Sequence, residues 1–159
     1  MSTKNYIAIL IESLKKKIII LNELIKKSEE QGYLLDQPDF DTDGFDAVMD
    51  EKSKLIVDLR FLDSGFEAVY DRARETLMND RAAHVGEIRD MQTLIGEITS
   101  LGASLEAIER RNDTKFKNRF RNEHQKVRQS RNSMQVANGY YKSMTGGTVQ
   151  DAQFMDHKF

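Results

Sequence analysis

Three stretches of this chain place large apolar residues at alternating steps of three and four, a spacing that commits them to long helices packed side by side. In the third stretch Met91, Leu94, Ile98, Leu101, Leu105, Ile108 and Asn112 hold such a seam for about three heptads. In the first, Ile7, Ile11, Leu14, Ile18, Leu21 and Ile25 step likewise. Leu10, Ile20 and Leu24 widen that stripe beyond a two-stranded seam, as a helix inside a bundle requires. The second carries Phe45, Val48, Met49, Leu55, Ile56, Leu59, Leu62, Phe66, Val69, Ala73 and Leu77. The expected fold is all-α: an antiparallel helical bundle or coiled-coil hairpin of three or four long helices. Their expected bounds are about 3–34, 42–78 and 80–144, the last an extended C-terminal helix.

Local punctuation sets the boundaries. Ser2 or Thr3 can cap the first helix, and Gly32 with Pro38 should end it between Gly32 and Asp36. Asp63-Ser64-Gly65 is expected to kink or re-cap the second, because Gly inside a helix costs about 1 kcal/mol relative to Ala. Asn79-Asp80 marks a turn or cap, and Gly86, Gly96 and Gly102 are candidates for close backbone approach in the third helix. Thr145-Gly146-Gly147-Thr148 breaks any helix, leaving residues 1–144 as one bundle domain and 145–159 as a tail expected to be flexible in isolation. That tail still carries Gln153-Phe154-Met155-Asp156-His157-Lys158-Phe159, apolar enough to dock on the bundle or on a partner.

At 159 residues the chain can bury a core of its own. A formal net charge of −2 gives no bulk basicity that would argue for nucleic acid, and 31% charged residues with a single proline favour solvent-laced helices over sheet. The lack of cysteine excludes disulfides and thiolate metal sites. The longest apolar run near the start, Ile18–Leu21, is far too short to span a membrane, and no small-residue cleavage site follows it. The expectation is a cytoplasmic chain without signal peptide or membrane insertion.

No set of residues converges on catalysis. His84, His124 and His157 are far apart and lack metal-ligand spacing, and Gly146-Gly147 follows a helix rather than opening one. Neither enzymatic activity nor a cofactor is expected. One motif invites a metal: Asp39, Asp41 and Asp43 before Gly44 match the opening of a calcium loop, with Asp50 at its twelfth position. Asp46 occupies the eighth position, normally apolar, and no second loop pairs with it. The stronger reading is that Asp41, Thr42 or Asp43 caps the second helix.

Two features point to partners. A basic neck, Arg110, Arg111, Lys115, Lys117, Arg119, Arg121, Lys126, Arg128 and Arg131, faces only Asp113 and Glu123 as local acids. Its charges point all round the helix, so pairing with the acidic segment Glu29–Glu51 or with an acidic protein outranks nucleic acid. Beyond it, Met134, Ala137, Tyr141 and Met144 step by three, four and three with Val136 and Tyr140 alongside. Adaptable methionine with amphipathic tyrosine suits helix-in-groove contacts, although the same pattern also fits the end of a core helix.

The layout as a whole resembles a known family. The words that carry it are Phe45-Asp46-Ala47-Val48-Met49-Asp50-Glu51-Lys52-Ser53-Lys54-Leu55, Leu62-Asp63-Ser64-Gly65-Phe66-Glu67, Met91-Gln92-Thr93-Leu94-Ile95, Tyr140-Tyr141-Lys142-Ser143-Met144 and Phe154-Met155-Asp156. They resemble the FlgN-type flagellar export chaperones, with the FliT-type chaperones as a near alternative. The resemblance implies a cytoplasmic all-helical chaperone of the flagellar type III secretion system. It would bind hook–filament junction or filament cap proteins, prevent premature assembly and escort them to export-gate components. The contacts it implies fall on Met134, Val136, Ala137, Tyr140, Tyr141 and Met144. The acidic loop departs from the family's less aspartate-rich turn, so no role carries over to it. The alternative from another class is a coiled-coil adaptor that self-associates, as a homodimer for instance, through its C-terminal helix.

Overall fold

The computed structural model describes residues 3–121, 137 and 139–142. Helix α1 spans Thr3–Asp36, α2 Thr42–Asn79 and α3 Val85–Arg119, with one 3-10 turn, Arg81–His84, between α2 and α3. Among the described residues there is no strand. The chain runs up, down and up. Lys17 meets Asp63 and Lys27 meets Glu51, so α1 and α2 are antiparallel. Ser28 meets Glu109 and Asp36 meets Lys115, so α3 runs parallel to α1.

The apolar stripes meet in one core containing Leu10, Leu14, Leu21 and Leu24 of α1, Leu59 and Leu77 of α2, and Met91, Ile98 and Leu105 of α3. A second cluster of Leu35, Phe45 and Phe116 closes the end where α1 and α3 finish. Asp41 caps α2 by accepting from the Gly44 N–H at 2.9 Å. A methyl group on Gly44 would collide with that carboxylate, which explains a glycine in a first turn.

Three expectations need correction. No break divides α2: it passes through Asp63-Ser64-Gly65 as a helix of 38 residues, and the space beside Gly65 is open. A penalty of about 1 kcal/mol is too small to interrupt a helix that Leu59 on one side and Phe66, Val69 and Ala73 on the other hold against the core. The third helix does not run from 80 to 144. It begins at Val85 after the 3-10 turn and ends at Arg119, where the Phe120 N–H bonds back to the Phe116 carbonyl. Finally, Gly86 and Gly96 have open space around them, while Gly102 is buried; between α1 and α3 the close approach falls at Gly32, where a methyl would lie 2.7 Å from Asn112 Oδ1.

Candidate partner-binding site

Of the patch expected to meet a partner, Ala137, Tyr140 and Tyr141 are helical in the structure, while Met134, Val136 and Met144 lie outside the described residues. Ala137 and Tyr141 are one turn apart, so they share a helix face, and both are buried in the main core. Tyr140 is half-buried at the edge. Its hydroxyl donates to Asp63 Oδ2 at 2.5 Å, and the other Asp63 oxygen accepts from Lys17 Nζ at 2.6 Å. The Arg60 guanidinium sits 5.4 Å from the Tyr140 ring centroid. Asp63 therefore ties α1, α2 and this segment together at the middle of the bundle. Burial, reinforced by the Asp63 bond, holds the Tyr140 hydroxyl well above the usual tyrosine range. Burial does the same to Tyr141, with the negative charge of Glu109 adding to it. The segment is folded back onto the bundle.

Toward the end where α1 and α3 finish lies a buried polar cluster that the sequence reading missed. Lys52 of α2 donates to Gln31 Oε1 at 2.6 Å and forms a close ion pair with Glu109 of α3. Ser28 Oγ donates to the same Glu109 oxygen at 2.5 Å, and Asn112 Nδ2 donates to the Ser28 carbonyl at 2.7 Å. The remaining oxygen, Glu109 Oε2, has no hydrogen-bond partner among the described residues. Burial pushes the Lys52 ammonium below its ordinary range, and Glu109 opposes that shift. A signal was present: Lys52 interrupts the α2 stripe between Val48 and Leu59, and Glu109 lies beside Ile108 on that of α3. Opposite charges at stripe positions of two helices are candidates for a buried pair.

Two cations of the basic neck reach the α1–α2 turn, whereas Arg110, Arg111, Lys117 and Arg121 are exposed. Lys115 pairs with Asp36 at 2.7 Å. Arg119 donates to the carbonyls of Leu35, Gln37 and Pro38 at 3.0, 2.6 and 3.1 Å and lies over the Phe40 ring. Internal pairing with the α1–α2 turn thus accounts for these two cations; Lys126, Arg128 and Arg131 lie outside the described residues. The calcium reading loses its geometry. Asp41 is a helix cap, and Asp43 and Asp50 lie on helical turns rather than round a loop. Among the described residues no group of three His, Asp or Glu side chains could hold a metal ion.

A family model described as FlgN protein matches residues 1–144. The chain belongs to the FlgN family. FlgN proteins are flagellar export chaperones, and three long helices without a strand among the described residues suit that family. No curated protein and no solved structure matches the chain. No helix among the described residues is long and apolar enough to cross a membrane.

Proposed function

We propose that this FlgN-family chain acts in the cytoplasm, binding hook–filament junction or filament cap proteins, preventing their premature assembly and escorting them to the export gate. Cargo engages Met134, Val136, Ala137, Tyr140, Tyr141 and Met144. The observation that supports this reading is the seating of Ala137 and Tyr141. A short helical segment packs Ala137 and Tyr141 into the core and is fastened at its edge by the Tyr140–Asp63 bond. An amphipathic cargo helix presents the same kind of surface and can exchange with it or pack beside it. Such an interface is modest enough for release at the gate. The adaptor reading is not favoured, because Tyr141 finds its cover within its own chain.

Purified junction protein titrated against the intact chain and against a version truncated after Asn132 tests the proposal. Binding by the intact chain alone places cargo on the last segment. Equal binding keeps the chaperone and moves the site to the bundle. If neither binds while the intact chain self-associates, the adaptor reading replaces it.

A further inference from the structure

The face that cargo is proposed to meet is shut in the cargo-free chain. Ala137 and Tyr141 are 6% and 0% exposed, so a partner helix reaches them only after their segment lifts off the bundle. α1 packs along both α2 and α3, and the contacts that join the three long helices do not run through that segment. Lifting it need not part them.

The fastening of that segment is suited to reversal. Arg60 and Asp63 lie one turn apart on α2 and both hold Tyr140, one at the ring and the other at the hydroxyl. Lys17 of α1 pairs with the other Asp63 oxygen and keeps the carboxylate aimed whether or not Tyr140 is there. The Asp63 side chain is 35% exposed, so water can replace the tyrosine hydroxyl and no buried acceptor is stranded. The Lys52–Glu109 pair is the opposite case, because parting it would strand a fully buried carboxylate. We infer that Asp63 is the catch of a closed state: its bond from Tyr140 keeps the Ala137–Tyr141 face hidden, and release of that bond opens the segment to a partner helix. The consequence for cargo rests on the function proposed above; the catch itself does not. A ligand that binds only the open form is weakened in proportion to the closed fraction, so loosening the catch should tighten binding.

Hydrogen exchange in the intact, cargo-free chain tests the catch. Tyr140→Phe removes only the hydroxyl, and Asp63→Ala removes its acceptor. Loss of a hydrogen bond to a charged group should speed exchange of the amides of residues 139–142 by about tenfold, with those around Leu21 and Ile98 unchanged. Purified junction protein is then titrated against the unaltered chain and against Asp63→Ala, a position outside the contacts proposed for cargo. The variant should bind about tenfold tighter. Exchange as slow in both variants as in the unaltered chain overturns the catch, whatever happens with cargo. Faster exchange that spreads to Leu21 and Ile98 overturns it as well, since Asp63 would then merely support the fold. Faster local exchange with equal or weaker binding overturns the gating, because cargo would then not need the segment open. If no chain binds junction protein the proposed function fails, and faster local exchange still upholds the catch.

Discussion

Where α1 begins, α2 ends and α3 begins, the buried side chains are all apolar: Ile7, Leu10, Leu14, Leu77, Ile88, Met91 and Ile95. At the opposite end Ser28, Gln31, Lys52, Glu109 and Asn112 are buried, and these are all the buried polar or charged side chains among those described. The contrast separates two tasks. Apolar burial is non-directional and roughly proportional to area, so the first end supplies adhesion but tolerates a slide of one helix along another. A buried ammonium and carboxylate allow one register only. Their desolvation nearly cancels their attraction, so the second end contributes specificity more than stability.

The sharpest test is at the ion pair. Lys52→Met leaves Glu109 buried without a counter-charge and should cost about 3–5 kcal/mol in urea unfolding, whereas Lys52→Met with Glu109→Leu should recover most of that loss. A double variant as unstable as the single one would break the contrast and make the pair a stabiliser. At the apolar end Leu10→Ala should cost about 2–5 kcal/mol through the cavity it leaves.

Alkaline titration probes the segment between the two ends. Tyr140 and Tyr141 have raised values in the fold, so their neutral forms stabilise it fully below the ordinary tyrosine value of 10.0, and that contribution is lost as pH rises beyond it. For the fully buried Tyr141 the loss approaches about 1.4 kcal/mol per pH unit. Lys52, lowered by burial, works the other way between its folded value and 10.5. Stability followed from pH 9 to 11 (roughly spanning the tyrosine range) should fall less steeply in Tyr141→Phe than in the unaltered chain. Two smaller effects calibrate the ends. Asp41→Ala should cost about 0.5–2 kcal/mol through the lost cap of α2. Gly65→Ala, in open space at mid-helix, should gain up to about 1 kcal/mol, readable as a rise in thermal midpoint.

Periodicity made the three helices legible in the sequence, because a residue such as Leu21 or Met91 has only one way to leave water. It was less exact about the stripe's centre: Ile95 and Gly102 are buried where Leu94 and Leu101 are half-covered. The end of α3 was invisible, since no proline or glycine marks it; carbonyls of the α1–α2 turn, remote in sequence, hold Arg119 there. Lys52 and Glu109 escaped notice because a charge at a helical position normally means water, and only the neighbouring helix shows otherwise. The patch with Ala137, Tyr140 and Tyr141 was legible as an apolar face. An apolar face does not state which helix covers it, and here the described part is covered by the chain's own bundle.

The parallel pairing of α1 with α3 also dictates an order of events during synthesis. Lys27 reaches Glu51 within a short hairpin, but Ser28 and Glu109 are 81 positions apart and Lys52 and Glu109 57. As the chain emerges, α1 and α2 can zip together first, with the seam that α3 will cover still wet and Lys52 still hydrated. Closing the larger loop then requires desolvating that ammonium in the same step that delivers its carboxylate, so arrival of α3 should set the pace of folding. A refolding rate slowed by Glu109→Gln and left unchanged by Glu51→Gln would reveal that late step.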